Sequence, residues 1–374
     1  MDYAETGLVL PTQEGGRLLG QGVYGCIFSP PLQCQQRGKS SKKKGRLGKL
    51  TEVIDIKNEI RAAELFVPVK KEAAKYMILP MIETLCKPAP ISSQKEKDIA
   101  KCEILQKRGG EKMLQYELEY GGKALGERLR QIDIVKALPF WEFTGKLLEI
   151  GAFMAFHGFI HNDLHSNNIL VNAAFHPRLI DFGRSYLASE IQGTTVEELE
   201  AGSFMPELGQ ISPESSMQDG IVLGQPIPKL YAEIRSQKPA ISMVEKVLGI
   251  SRDAQMAEFK HFCETSRAFQ AKDWVTVWKL YWPTVDSWAI GHCIMRILSR
   301  LIVSKEFTGS SEWKERGGIL KSIVKGLLRT SPHERLDCVE ALAMYDPTND
   351  LLDTPTGKRW LEVKQSRRAR GRRV

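Results

Sequence analysis

Short apolar runs and glycines mark predicted strands in the first third of the chain. Residues 18–28 indicate a strand, a glycine turn and a second strand, and further strands are expected over 47–53, around 76–79 and over 112–122. A single helical pattern, residues 56–66, lies among them. The pattern therefore predicts a small, β-rich region at this end of the chain.

The rest of the chain has mainly helical patterns. Apolar and small residues recur at i, i+3, i+4, i+7 and i+8 on one predicted helix face, at Leu147, Ile150, Gly151, Met154 and Ala155. Further helices are expected at 241–248 and 256–262, in a buried helix that begins near Asp286, and over 316–345. Two apolar runs, 169–171 and 179–180, are instead short buried strands.

Polar residues stand at the ends of these two buried strands. Asp163 and Asn168 precede the first strand, and Asp181-Phe182-Gly183 follows the second. Transfer of a γ-phosphoryl group needs a carboxylate that accepts the proton of the acceptor hydroxyl, a role that suits Asp163. It also needs hard oxygen ligands for Mg²⁺, which Asn168 and Asp181 supply. A simple Asp/Asn-rich turn explains any one of these residues but not all three at this spacing.

A glycine motif, Gly20-x-Gly22-x-x-Gly25, falls in the predicted strand–turn–strand of residues 18–28. Glycines let backbone N–H groups approach phosphate oxygens without interference from a Cβ atom. A dinucleotide-binding turn has the same glycine pattern, but there the motif is followed by a helix. Here Cys26 to Phe28 continue as a strand, so the motif favours a phosphate-covering hairpin.

Composition sets the broad class of the protein. With 374 residues and 42% hydrophobic residues, the chain can form one large two-lobed domain or two ordinary ones. It has no signal pattern and no apolar run of about 18 residues, so no membrane association is expected. Its seven cysteines are odd in number and form no Cys-x-x-Cys pair, which predicts reduced thiols in a cytosolic or nuclear setting and no zinc site.

Positive charge is concentrated in two places within a net charge of +8. One is the predicted hairpin loop 33–46, and the other is the end of the tail, 364–374. Both are candidates for contact with nucleic acid or an acidic partner, and a merely solvated basic segment remains the alternative for each. The run at the end of the tail is expected to be disordered in isolation.

The order of motifs over residues 18–345 resembles that of the protein kinase superfamily. The motifs are Gly20-x-Gly22-x-x-Gly25, Lys49, Glu59, Tyr120-Gly-Gly122, His161-Asn-Asp163 through Asn168, Asp181-Phe-Gly183, Ser212-Pro-Glu214, Asp286-x-Trp288 and Arg335. Within that superfamily the chain looks most like the divergent serine/threonine kinases of large double-stranded DNA viruses. Its short Gly48-Lys49-Leu50 strand, its Tyr-Gly-Gly hinge and the long insertion after Glu214 carry this narrower likeness.

The resemblance implies an α+β, two-lobed fold with Mg-ATP in the cleft between the lobes. A lead-in, 1–17, would precede a β-rich N-lobe over 18–120, which carries the basic insertion 33–46. A larger helical C-lobe would cover 121–345, with an insertion at about 215–283, and a basic tail would cover 346–374.

The resemblance also implies roles for individual residues. Lys49, with Lys44 as the fallback, would contact the α- and β-phosphates and pair with Glu59 or, less favoured, Glu64. Backbone groups from Glu117 to Glu119 would bind adenine. Asp163 would be the catalytic base, with Asn168 and Asp181 on Mg²⁺. Glu214 would pair with Arg335, and Asp286 would hold the catalytic loop.

Two residues depart from the family pattern. Asn162 replaces the arginine that reads a phosphorylated activation segment, so that form of switching is in doubt. His165 replaces the lysine that stabilises the transferring phosphate in serine/threonine kinases. His165 would serve only when protonated or as a neutral donor. That lysine also indicates a serine/threonine kinase, so serine and threonine are preferred over tyrosine only because such kinases are more common.

The predicted function is transfer of the γ-phosphate of ATP to serine or threonine hydroxyls of a protein substrate, inside the cell in the host cytoplasm or nucleus, or in a virion. Asp163-x-His165-x-x-Asn168 is also typical of aminoglycoside- and choline-type phosphotransferases, so a small-molecule acceptor is one alternative. A pseudokinase scaffold that binds partners through the insertion and tail is another. The sequence leaves the substrate and the oligomeric state open.

Overall fold

The computed structural model describes residues 17–22, 25–36, 45–53, 56–94, 97–108, 112–193 and 204–371. Lys44, most of the basic insertion and nearly all of the lead-in lie outside these ranges. The chain divides into two compact units. The sheet unit comprises Met1–Gly122 and Ile180–Gly183, and the helical unit comprises Lys123–Leu179 and Arg184–Val374.

The sheet unit is built on a five-stranded antiparallel sheet with strand order β1-β2-β3-β5-β4. Its strands are β1 (Arg17–Gly22), β2 (Gly25–Ser29), β3 (Arg46–Glu52), β4 (Met81–Cys86) and β5 (Met113–Glu119). The strand predicted around 76–79 is wrong, because the strand begins only at Met81. Residues 76–78 are buried, but Pro80 has no N–H to donate to a ladder, and pairing starts after it.

Three helices accompany this sheet: α1 (Ile56–Leu65), α2 (Lys70–Ala73) and α3 (Glu103–Arg108). Two disulfides join parts of the same unit, Cys26–Cys102 and Cys34–Cys86. The expectation of reduced thiols is therefore wrong for these four cysteines, and the cytosolic or nuclear setting loses its cysteine argument. Their sequence separations of 76 and 52 residues form no local motif, so spacing alone did not reveal the pairs.

The helical unit contains two small sheets. One has the strand order β6-β8-β9, from β6 (Lys123–Ala124), β8 (Ile169–Val171) and β9 (Pro177–Leu179). The other pairs β7 (Phe159–Ile160) with β10 (Tyr186–Leu187). The hairpin of β8 and β9 matches the two predicted buried strands and is antiparallel.

Helices make up most of this unit. Among the described residues of this unit before 212, the α-helices are α4 (Leu125–Gln131), α5 (Ile134–Ala137) and α6 (Phe140–Phe156). Those of the predicted insertion are α7 (Pro213–Val222), α8 (Ile227–Gln237), α9 (Pro239–Leu248), α10 (Arg252–Thr265), α11 (Arg267–Gln270) and α12 (Trp274–Tyr281). The rest are α13 (Val285–Leu301), α14 (Lys305–Gly309), α15 (Ser311–Leu327), α16 (Cys338–Tyr345), α17 (Asp350–Asp353) and α18 (Pro355–Gly371).

The core of this unit centres on α13, whose residues are buried on nearly every side. The five small and apolar residues predicted on one helix face are all buried in α6. Helix α18 continues through Gly371, into the basic run that is expected to be disordered in isolation. Trp360 and Lys364 anchor this helix by contacting the buried carboxylate of Asp337.

Helix and antiparallel sheet occur together, which confirms a mixed α+β chain with a small sheet part and a larger helical part. No helix among the described residues is long and apolar enough to cross a membrane.

Candidate functional site

The sheet unit brings three predicted residues into one ion network. Lys49 projects from β3, and its Nζ contacts the Glu59 carboxylate of α1 and lies 2.8 Å from Asp181 Oδ1. The side chains of Lys49 and Glu59 are 12% and 4% exposed, whereas that of Asp181 is 36% exposed. Glu64 is exposed on the same helix, so Glu59 is the glutamate that pairs with Lys49.

Burial and charge act in opposite directions on Lys49. Burial lowers its pKa, but the charges of Glu59 and Asp181 outweigh that effect and hold the pKa well above its ordinary value. Burial raises the pKa of Glu59 against the lowering effect of Lys49. Each group of the pair therefore shifts the pKa of the other, and the two act as a single electrostatic element.

Tyr116 adjoins this network and was not recognised from the sequence. It lies opposite Lys49 in the register of β3 and β5, and it is 1% exposed. Burial, and then the charge of Glu59, raise the pKa of Tyr116 well above its usual value, so the phenol is neutral. Only the strand register, which depends on long-range pairing, places this side chain beside Lys49.

The space around the three motif glycines differs, and so does the structural reason for a glycine at each position. At Gly25 an added Cβ would fall 2.2 Å from the carbonyl oxygen of Leu50, so sheet packing alone excludes a side chain. At Gly20 and Gly22 nothing lies within 4 Å of the added Cβ position. These two glycines therefore leave open space beside β1. Gly25 begins a strand rather than a helix, which rules out the dinucleotide-binding form of the motif at this position.

The predicted adenine-binding residues lie at the end of β5. The backbone N–H of Glu117 donates to Thr84 Oγ1 at 2.8 Å, and Glu117 is 2% exposed. Glu119 is exposed at the last position of the strand, opposite Arg46 of β3. The assignment of adenine to the backbone of these residues stays a prediction.

In the helical unit, the loop between β7 and β8 carries Asp163 with polar groups around its carboxylate. Asn168 Nδ2 lies 2.9 Å from the carbonyl oxygen of Asp163 and 3.4 Å from its Oδ2. Gln210 Nε2 lies 3.3 Å from Oδ1. Because the Asn168 nitrogen is directed at Asp163, its amide oxygen is the atom that remains for a metal ion.

A buried carboxylate of α13 holds the backbone of this loop. Asp286 accepts hydrogen bonds from the backbone N–H groups of His161 at 2.7 Å and Asn162 at 3.0 Å. Burial raises the pKa of Asp286, and His161 acts in the opposite direction. Asn162 has φ of 59°, in the left-handed region that asparagine tolerates better than most residues. The Nδ1 atom of His161 accepts from the backbone N–H of Asp163, which is a structural rather than a chemical role.

His165 lies beside Asp163, with Nε2 3.7 Å from Oδ1. Its Nδ1 accepts a hydrogen bond from the backbone N–H of Asn167 at 3.2 Å. In the neutral ring the proton must then be on Nε2, the nitrogen nearer the carboxylate. The structure thus gives His165 the geometry of a neutral donor, which the sequence named as one of two ways for it to replace lysine.

Glu214 and Arg335 form a two-pronged ion pair in the interior of the helical unit. The guanidinium Nη1 and Nη2 atoms lie 2.6 and 2.8 Å from the two carboxylate oxygens, and the Arg335 side chain is fully buried. The face of Trp288 packs against the same guanidinium at 5.0 Å. This pair ties the start of α7 to the segment before α16.

The residues present suit Mg-ATP by their chemistry. The partly exposed carboxylate of Asp181 in the sheet unit is a hard ligand of the kind Mg²⁺ prefers, and so is the amide oxygen of Asn168 in the helical unit. Lys49 supplies a fixed positive charge for phosphate oxygens, and Gly20 and Gly22 leave room for backbone approach. Neither a protein-family model nor a curated protein matches this chain.

Proposed function

We propose that this chain is a Mg²⁺-dependent protein kinase that transfers the γ-phosphate of ATP to serine or threonine hydroxyls of a protein substrate. The observation that carries the proposal is the network of Lys49, Glu59 and Asp181. It joins a strand lysine, a helix glutamate and the Asp of Asp-Phe-Gly, which lies 132 residues from Lys49 in sequence. A cation held by a buried carboxylate is suited to positioning phosphates.

Each residue has a distinct part in this proposal. Lys49 and the backbone beside Gly20 and Gly22 neutralise and orient the phosphates. Asp181 and Asn168 would hold Mg²⁺, which supplies charge neutralisation on the phosphate oxygens when bound. Asp163 accepts the proton of the acceptor hydroxyl, and the Nε2–H of His165 supports the arrangement as a neutral donor.

Two contacts favour a protein acceptor over a small molecule. The buried Glu214–Arg335 pair and the bonds from Asp286 to the catalytic loop correspond to features that the resemblance assigns to protein kinases. The small-molecule phosphotransferases that share Asp-x-His-x-x-Asn mostly lack or alter these motifs. A small-molecule acceptor is therefore the less favoured alternative, and the experiment below distinguishes it from a protein acceptor.

The test is γ-phosphate transfer from Mg-ATP by wild type, Asp163→Asn and Asp353→Asn. Asp353 is an exposed aspartate paired only with an exposed lysine, so its variant is the matched control. Basic proteins and a panel of small-molecule alcohols serve as acceptors. We expect label on serine or threonine, lost in Asp163→Asn by roughly 1,000-fold or more and kept in the control.

Other outcomes would replace the proposal. Label only on a small alcohol would make the protein a small-molecule phosphotransferase. Label on tyrosine would change the acceptor assignment. Tight binding of ATP without any transfer would favour the scaffold alternative.

A partner surface for nucleic acid is also proposed, on a groove of about 490 Å³ in the helical unit. Trp282 and Trp360 line it together with Lys279 and Arg359, and no Asp or Glu is among its described lining residues. Helix α18 leads from this groove directly into the arginine-rich run. Aromatic faces and cations together suit single-stranded nucleic acid, which stacks bases and carries phosphates.

The measurement for this surface is binding of an oligothymidylate over a range of salt concentrations. Lys279→Glu with Arg359→Glu should weaken binding and flatten its salt dependence, because fewer counterions are released. Lys246→Glu, on an exposed position of α9, is the control. Unchanged binding in the double variant would remove the groove from the proposal.

A further inference from the structure

We propose that Lys238 is a positioning residue through which the 215–283 insertion fixes the segment Leu208–Ile211, so that Gln210 orients the carboxylate of Asp163. The inference rests on the proposed function insofar as Asp163 is the base. It gives the insertion a role in the reaction that the sequence did not assign.

Lys238 is the residue that joins α8 to α9, and it is 1% exposed. Its Nζ donates to the carbonyl oxygens of Leu208 at 3.3 Å and Ile211 at 2.9 Å. A buried lysine is rare, and desolvation of its charge is costly. The two hydrogen bonds of Lys238, to main-chain carbonyls three residues apart, offset part of this cost.

The residues between these two carbonyls are fixed from α13. Trp288 Nε1 donates to the carbonyl oxygen of Gly209 at 3.0 Å. An added Cβ at Gly209 would fall 2.0 Å from Cε1 of His292, so only glycine fits against that ring. Lys238 and α13 therefore hold three carbonyls of the segment, at Leu208, Gly209 and Ile211.

Gln210 is the residue of this segment that reaches Asp163. Its amide nitrogen lies 3.3 Å from Oδ1, while the amide nitrogen of Asn168 lies 3.4 Å from Oδ2. Each carboxylate oxygen thus faces one amide donor, which limits rotation of the carboxylate. A base whose carboxylate is held in one orientation presents its remaining lone pairs in a defined direction, as an effective proton acceptor requires.

The charges around Lys238 come from several elements. Burial lowers its pKa to about 7, while Glu214 of α7, Glu207 just before the segment and Asp219 of α7 oppose this shift. His292 of α13 also lies nearby, and burial lowers its pKa to about 3, so that ring is neutral near pH 7. The role assigned to Lys238 depends on its N–H donors, which both protonation states provide.

The decisive test is a charge placed at position 210. Gln210→Glu would put a second carboxylate beside Asp163, and a like charge raises the pKa of the base. We expect the acid limb of the pH–kcat profile to move up by about one pH unit. In Lys238→Met that shift should fall to less than half, because the carbonyls on either side of residue 210 lose Lys238 and only the bond from Trp288 to Gly209 remains.

Lys238→Met alone should lower kcat about tenfold and leave the KM for ATP unchanged, since it disturbs the base and not the phosphate-binding residues. Methionine keeps the length of the side chain but leaves the carbonyls of Leu208 and Ile211 without this donor, so the melting temperature should fall and kcat is compared where both proteins are folded. Lys246→Met, an exposed lysine of α9, is the matched control.

Three results separate this inference from the proposed function. Full transfer by Asp163→Asn would overturn the proposed function and this inference with it. If Asp163→Asn is inactive, an undiminished pH shift of Gln210→Glu in the Lys238→Met background would overturn the inference alone. Should Lys238→Met not fold, Gln210→Ala decides, and wild-type kcat in that variant would also overturn it.

Discussion

Two lysines of this protein are removed from solvent and held in opposite ways. Lys49 of the sheet unit faces two carboxylates, and its pKa lies well above the ordinary value because their charges outweigh burial. Lys238 of the helical unit bonds to main-chain carbonyls, and burial lowers its pKa to about 7. The partner, more than the depth of burial, therefore decides whether a lysine acts as a charge or as a pair of donors.

The largest effect should follow loss of the charge at Lys49. Lys49→Met is expected to lower phosphate transfer roughly 100- to 1,000-fold, because the cation that orients the phosphates is gone. It should also destabilise the protein by about 3 kcal/mol, since Glu59 is left buried without its partner. Urea unfolding and steady-state kinetics measure the two effects.

A second substitution separates those two effects. Lys49→Met with Glu59→Leu should regain the lost stability but none of the activity, because the unpaired carboxylate is removed and the cation is still absent. Recovery of activity in the double variant would show that Lys49 contributes to stability alone and has no part in phosphate transfer. The contrast with Lys238, which is proposed to act in the reaction, would then be reversed.

A smaller effect is expected from the partner of Lys49. Glu59→Gln should lower kcat/KM about 10- to 100-fold, because the lysine loses the carboxylate that fixes its position. Glu64→Gln is the natural comparison, since Glu64 is exposed on the same helix and should match wild type. Equal losses in both variants would mean that the helix, and not this ion pair, matters.

The smallest effect is a rise in stability with pH that should depend on Lys238. Its pKa is about 7 when folded and near 10.5 when unfolded, so the unfolded chain binds more protons between these values. The free energy of unfolding should therefore rise by about 2 kcal/mol from pH 7 to pH 9 relative to Lys238→Met. Lys49 adds nothing to this difference, because its raised pKa in the folded protein and its ordinary pKa of about 10.5 in the unfolded chain both keep it protonated up to pH 9.

Denaturant titrations of wild type, Lys238→Met and Lys246→Met at several pH values carry out that measurement. Only Lys238→Met should show a flatter profile. If stability changes with pH in the same way in all three proteins, the pKa of Lys238 is not lowered in the folded state. The contrast between Lys238 and Lys49 would then be lost.

Local patterns were enough to predict individual helices and strands, whose residues are neighbours in sequence. The strands that flank Asp163 and Asp181, the α6 face and the buried helix from Asp286 all depend on short-range periodicity. The pairing of Glu214 with Arg335 came from motif order, although 121 residues separate the two.

Contacts that depend on strand register or on tertiary packing could not be predicted from the sequence. Tyr116 reaches Lys49 only through the pairing of β3 with β5, and Lys238 reaches the segment 208–211 only through the path of the insertion. The two disulfides join cysteines that no spacing rule connects. In each case the partner is chosen by tertiary structure and not by neighbours in sequence.

The disulfides also give the chain a nested covalent topology. The ring closed by Cys34 and Cys86 lies within the ring closed by Cys26 and Cys102, and both Lys49 and Glu59 belong to the inner ring. Cleavage after Lys42 or Lys43 would therefore not release a fragment. A nicked, oxidised chain keeps its full mass on a denaturing gel and separates into two pieces only when a reductant is added.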